Sequence, residues 1–204
     1  FGTSVAIFDD TVAVGAWFDD EKGSDSGSVY LYRRDTQTSK WNLKQKLVPD
    51  DGVAGDNFGT SVAIFGDTIV IGAMKNDHKG SDSGAAYIYQ RDPQTNEWAL
   101  RQKLAPDDGA GNDYFGESVA IFNKTVIVGA RYDDDNGSAS GSAYLFQRDT
   151  HTNEWAMQQK LVPDDGAAND RFGYSVAIFD TIVIVGAYGD DDKGKDSGSA
   201  YIYS

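Results

Sequence analysis

Short runs of Val, Ile, Ala and aromatic residues alternate with polar, glycine-rich stretches along the whole chain. SVAIF at Ser4–Phe8 is followed by a turn at Asp9-Asp10 and by TVAVGA at Thr11–Ala16. An acidic, Gly/Ser-rich loop, Trp17–Gly27, then leads to SVYLYR at Ser28–Arg33. These three runs are apolar at nearly every position and read as strands covered on both faces. After a polar turn at Asp35–Lys40 comes WNLKQKLV, Trp41–Val48, where Trp41, Leu43, Gln45 and Leu47 alternate with Asn42, Lys44, Lys46 and Val48. That period of two predicts a fourth strand with one apolar face and one mainly basic face, on the outside of its sheet. A loop, Pro49–Asn57, closes the pattern, and no stretch combines helical periodicity with helix caps.

The same text then starts again. Phe1-Gly2-Thr3-Ser4 reappears as Phe58-Gly59-Thr60-Ser61, Phe115-Gly116-Glu117-Ser118 and Phe172-Gly173-Tyr174-Ser175, each 57 residues after the last. Units 1–57, 58–114 and 115–171 are complete, whereas 172–204 carries only the first three strands. Repeated four-stranded antiparallel units predict an all-β fold, a β-propeller of 57-residue blades with residues 1–204 forming one partial propeller. The small residues Ala6, Gly15 and Ala16 recur in every unit, as a crowded central axis requires. The period is too long for most solenoid coils and too short for an independent sandwich.

The Phe-Gly pairs are followed by Gly15-Ala16-Trp17, Gly72-Ala73-Met74, Gly129-Ala130-Arg131 and Gly186-Ala187-Tyr188, and then by Gly27-Ser28-Val29-Tyr30 and its copies. These motifs resemble FG-GAP repeats, the blades of the integrin α-subunit propeller, with the proline of GAP replaced in all four units. The resemblance implies a ring of about seven blades, with the chain supplying part of it. A four-bladed ring closed by Phe172–Ser204 against Phe1–Asn57 is the alternative. The resemblance also implies adhesion-type protein or glycan binding, outside the cell or at its surface, or else in a lumenal compartment. Integrin-type repeats carry a DxDxDG calcium loop between the first two strands. Here that position holds only Asp9-Asp10, Gly66-Asp67, Asn123-Lys124 or Asp180, too few oxygens for calcium.

Charge adds a direction to this picture. Acids outnumber bases 32 to 18, for a net charge of −14, which argues against nucleic acid and for a basic or cation-rich partner. No apolar run approaches 18 residues, so no helical membrane span is predicted. The absence of cysteine excludes disulfides and thiolate metal sites. The chain opens on Phe1 with no leader and reads as a mature or trimmed segment. In a propeller the Trp17–Gly27 and Pro49–Asn57 loop types share one face, which would then carry 22 of the 32 acids. The basic residues, Lys44, Lys46, Lys103 and Lys160 among them, are expected on outer strands or near the opposite face. Carboxylates crowded on one rim repel one another unless cations sit among them. Calcium is therefore expected at Asp19, Asp20, Asp25, Asp77, Asp82, Asp133, Asp134, Asp190, Asp191 and Asp196, weakest in the third loop, where Ala139 replaces an acid. The alternative is that these acids are solvated turn residues.

No catalytic constellation emerges. His78 and His151 fall at different points of the repeat and have no copies, and no nucleophile–base pair can be named. The residues directly after each Gly-Ala pair do change: Trp17, Phe18, Met74, Arg131, Tyr132 and Tyr188 vary on a constant frame. Such variation suits a recognition surface, and equally side chains that pack beneath the acidic loop. The expected function is a non-catalytic binding or scaffold module. A structural subunit of a larger assembly and a carbohydrate-active enzyme are the alternatives. An unpaired edge at Ser199–Ser204 is expected to promote association by strand pairing.

Overall fold

A computed structural model describes residues 1–204. Fifteen strands and no helix make up the chain. The first sheet is β1 (Val5–Phe8), β2 (Thr11–Ala16), β3 (Ser28–Arg34) and β4 (Trp41–Leu47). The second is β5 (Phe58–Phe65), β6 (Thr68–Ala73), β7 (Ala85–Arg91) and β8 (Trp98–Leu104). The third is β9 (Ser118–Phe122), β10 (Thr125–Ala130), β11 (Ser142–Arg148) and β12 (Trp155–Leu161). The last has three strands, β13 (Phe172–Phe179), β14 (Ile182–Ala187) and β15 (Ser199–Tyr203). All are antiparallel meanders in chain order, and the innermost strands β1, β5, β9 and β13 stand side by side. This is the blade arrangement of a propeller. The array is open: the expected alternative of a four-bladed closed ring is not what forms, since the outer faces of the first and last sheets are both exposed.

Each pair of neighbouring sheets encloses one core. Ala13, Val29, Leu31 and Leu47 of the first sheet meet Val62, Ile64, Ile71 and Tyr87 of the second, and the next two joints repeat the pattern. Conserved spacing along the chain makes the joints copies of one another. Ser4 Oγ donates to the Gly59 carbonyl at 2.8 Å, Ser61 to Gly116 at 2.8 Å and Ser118 to Gly173 at 2.7 Å. The approach is close enough to demand glycine in the Gly-Ala pair: a Cβ on Gly72 would lie 1.8 Å from the Gly116 carbonyl oxygen. On the outside, Gln45 donates to the Trp98 carbonyl at 2.7 Å and accepts from its N–H at 2.8 Å, and Gln102 does the same with Trp155. Phe8, Phe65, Phe122 and Phe179 form a ladder, with ring centroids 4.9–5.0 Å apart.

The fourth strand departs from the simple alternation expected of it. A bulge shifts the register between Leu31 and Tyr32, and again between Ile88 and Tyr89 and between Leu145 and Phe146. The extra residue turns the side chains beyond it to the other face. Leu47 is therefore buried while Leu43, Leu100 and Met157 are exposed, and Trp98 and Trp155 are buried against the preceding sheet.

Candidate functional site

The two loop types expected to share a face do meet. Gly55 N–H donates to the Ser24 carbonyl at 2.8 Å and Phe58 N–H to Ser26 at 3.0 Å, with equivalents at Asn112 and Phe115 and at Asn169 and Phe172. The carboxylates within this layer are already engaged by the chain itself. Asp20, Asp77, Asp134 and Asp191 each accept the backbone N–H five residues on, from Asp25, Asp82, Ala139 and Asp196, at 2.8, 2.8, 2.7 and 2.5 Å. Those four residues all lie in the left-handed region, at φ of 57°, 54°, 54° and 52°. What the turn uses at this position is an N–H rather than a side chain, so Ala139 closes the third loop as the acids close the others.

One layer deeper, Asp19 accepts from the Tyr30 hydroxyl at 2.8 Å and from Lys46 Nζ at 3.0 Å. Lys46 also pairs with Glu21. Burial pushes the Asp19 carboxyl up, but hydrogen bonds from Lys46 and Tyr30 outweigh it and hold it below the usual range. In the third sheet Asp133 is buried, bonded to Ser142, Tyr144 and Lys160, and Lys160 also reaches Asp108 at 2.8 Å and Asp135 at 2.6 Å. In the second sheet Asn76 replaces the first acid, and Lys103 pairs with Asp51 at 2.8 Å. The lysines of the outer strands thus turn into the acidic layer rather than away from it, which corrects the expected separation of charge. Their ammonium groups supply the positive charge that crowded carboxylates need. In the fourth loop the Tyr201 hydroxyl lies 2.9 Å from Asp190 and 3.1 Å from Asp165. Asp56, Asp113 and Asp170, counted from sequence among the rim acids, are buried, and each accepts a loop N–H, at 2.9, 2.6 and 2.7 Å. Burial, reinforced by Asp133 and Asp134, pushes the Asp113 carboxyl up to about 6. No three acidic or histidine side chains converge in a way that could hold a metal ion.

The variable residues gather at the joints between sheets. Arg131 lies 4.5 Å from the Tyr132 ring and 5.4 Å from that of Tyr174, and forms an ion pair with Glu117 at 2.8 Å. Arg171 lies 4.9 Å from the Tyr188 ring and 5.9 Å from that of Tyr132, and its guanidinium donates to the Tyr188 hydroxyl. Tyr114 packs edge-on to Tyr132 at 5.0 Å, Tyr174 to Tyr188 at 4.5 Å, and Trp17 leans on Phe18 at 4.9 Å. Tyr114 and Tyr132 also wall an open groove with Asn112, Asp134 and Ser138. Phe18, Tyr174 and Tyr188 are exposed, but Met74, expected among the contact residues, is buried and presents no surface to a partner. Several polar atoms here are buried without a partner: Trp17 Nε1, Glu117 Oε2, Arg131 Nε and Arg171 Nε. Burial drives the Glu117 carboxyl up to about 7, against the pull of Arg131. Sequence reasoning missed Tyr114, Glu117, Arg171 and Tyr174. The signal was present, since the position before each Phe-Gly reads Asn57, Tyr114, Arg171 and the position after it Thr3, Thr60, Glu117, Tyr174.

Family comparison bears on what this scaffold is. The FG-GAP repeat matches residues 1–32, 41–89, 98–146 and 155–203. The chain belongs to the FG-GAP repeat family. Each later match starts on the outermost strand of one sheet and ends on the third strand of the next, so the family's unit spans a joint. Among solved structures, the crystal structure of Saccharomyces cerevisiae Sqt1 superposes with a TM-score of 0.53 at 11% identity, over 92% of this chain and 43% of that one. The likeness is one of fold, and the chain spans less than half of Sqt1. A search of curated protein sequences finds no match.

Proposed function

We propose that this FG-GAP array is a non-catalytic interaction module that holds a protein partner, or a glycan, on the variable side chains of its loop face, Trp17 and Phe18 in the first sheet and the cluster from Tyr132 to Tyr188. One observation carries this reading: residues that change chemistry from blade to blade on an otherwise repeated frame, Tyr114, Arg131, Tyr132, Arg171, Tyr174 and Tyr188, come together as one cluster of aromatic and arginine side chains, and Trp17 and Phe18 pair at the equivalent place in the first sheet. Trp, Tyr and Arg dominate the energetics of protein interfaces because they combine large apolar area with a polar handle. The family relationship supports an interaction role and, with it, display outside the cell. No helix is long and apolar enough to cross a membrane. The test is a protein and glycan array probed with the wild type and with the triple variant Phe18→Ala, Arg171→Ala, Tyr188→Ala, with turnover of bound glycans followed in parallel. Binding lost in the variant at an unchanged melting temperature supports the reading. Equal binding by both proteins, or turnover, overturns it.

A second reading keeps calcium at the acidic loops, where carboxylates such as Asp190 and Asp165 stand close enough to share one tyrosine hydroxyl. A cation bound only to the folded state at 100 times its dissociation constant would add about 2.7 kcal/mol of stability. Melting temperatures in calcium and in sodium chloride at equal ionic strength decide it, and identical values remove calcium from the account.

A further inference from the structure

On the side away from the acidic loops, the joint between the first and second sheets holds a cavity of about 310 Å³. Its walls are two sheets of this chain that face each other, with Thr11, Arg33 and Lys44 on one side and Arg91, Asn96 and Trp98 on the other. The volume lies at the small end of the range for small-molecule sites, roughly 300–1,000 Å³. Three cations, Arg33, Lys44 and Arg91, line the cavity against a single acid, Glu97. The frame does not require this charge. Gln90 and Gln147 stand in the place of Arg33 in the next two sheets, and Arg101 and Gln158 in the place of Lys44.

We infer that this cavity binds a small ligand through an oxyanion such as a carboxylate or sulfate. The unpaired polar groups around it are donors. Arg33 donates through Nε to Asp10 at 2.7 Å and through Nη1 to Asn96 Oδ1 at 3.0 Å, which leaves Nη2 free. Arg91 stands over the Trp98 ring at 5.7 Å and 4.0 Å from Asp10, and Lys44 has no acid within 4.0 Å. The acceptors nearby are already taken: Asp10 by Arg33 and Thr11, Asn96 Oδ1 by Arg33, and the Gln45 side-chain carbonyl by the Trp98 N–H. Donors without acceptors fit a ligand group that only accepts, and hydrogen bonds to an ionised oxyanion are about twice as strong as those between neutral groups. The planar fork of arginine matches that geometry. On a chain of net charge −14, a local excess of positive charge also directs an anion here rather than to the acidic loops.

The chain itself supplies a mild variant for the test. Gln90 donates to Asp67 at 3.1 Å, as Arg33 does to Asp10, so Arg33→Gln combined with Lys44→Gln copies side chains that later sheets carry and keeps Asp10 partnered. Backbone and indole N–H shifts are followed by NMR during titration with sodium sulfate, sodium glucuronate and glucose, at an ionic strength held constant with sodium chloride. Saturable shifts at Asn96 and Trp98 are expected with sulfate or glucuronate and not with glucose, and the tighter of the two anions distinguishes a bare ion from a sugar acid. The double variant should bind at least about 10-fold more weakly, the loss that accompanies one hydrogen bond to a charged group. The loop-face variant Phe18→Ala, Arg171→Ala, Tyr188→Ala should bind as the wild type does. The inference is overturned by the absence of saturable shifts at Asn96 and Trp98 with either anion, by an equal response to glucose, by unchanged affinity in the double variant, or by loss of binding in the loop-face variant.

Discussion

The joints between sheets and the strip of variable side chains are built on the same backbone, yet they behave as opposites. At the joints, identical residues make identical contacts: three serine-to-glycine hydrogen bonds of 2.7–2.8 Å and glycines that admit no Cβ. Along the strip, residues at equivalent positions make different contacts, and Glu117, Arg131 and Arg171 keep buried atoms without partners. Satisfied, repeated contacts specify a fold, while partly satisfied polar groups on a rigid support are held ready for something else. The difference teaches where stability and recognition reside in this molecule, and it can be attacked from both sides.

The largest effect is expected at a joint. In Gly129→Ala the new methyl would lie 1.9 Å from the Gly173 carbonyl oxygen, and denaturant unfolding should show a loss of at least about 3 kcal/mol. Loss within about 0.5 kcal/mol, the range of ordinary surface changes, would erase the distinction between joint and strip. Next is the charged layer between them. Lys160→Met strands the buried carboxylate of Asp133 along with Asp108 and Asp135, which should cost about 2–4 kcal/mol. Calcium should then raise the melting temperature of this variant more than that of the wild type, and an equal rise would mean that the lysine is not the counter-charge.

The smallest effect is the one that reads the strip directly. The Glu117 carboxyl rises from 4.5 to about 7 on folding, so the folded state holds its proton more tightly. Stability from this group is full below the unfolded value and is lost as pH climbs towards 7. Glu117→Gln does not titrate. Its urea midpoint should therefore gain on the wild type across that window, by about 1–3 kcal/mol in stability. A constant difference would place the carboxyl in solvent, outside the partly satisfied cluster.

Much of the frame was legible in the chain. Phe-Gly, Gly-Ala and the 57-residue period led to four sheets with strand limits within a few residues, because those residues act through steric demands that repeat. The innermost strands β5 and β13 begin at Phe58 and Phe172, three residues before the SVAIF run that announced them, since the ladder extends across a register shift. Leu43 was misassigned to the inner face because a bulge leaves no trace in a period of two. Lys46 was read as outward for a different reason: its partner Asp19 lies 27 residues away in the chain, and only the fold brings the two together. The strip was half legible. Trp17 and Tyr188 stand out after Gly-Ala, but Tyr114 and Arg171 lie on the connection before the next Phe-Gly and reach the same place only through the fold.

The serine-to-glycine bonds of the joints have a consequence for how the chain folds. Each spans 55 residues, whichever joint it closes. The entropy of closing a loop depends on its length, so every joint meets the same modest search, and adding sheets does not lengthen it. Contacts that never span more than neighbouring units let assembly begin at any joint and spread in both directions. The time to fold should follow the slowest pair of neighbours, and stay nearly independent of how many sheets the array contains.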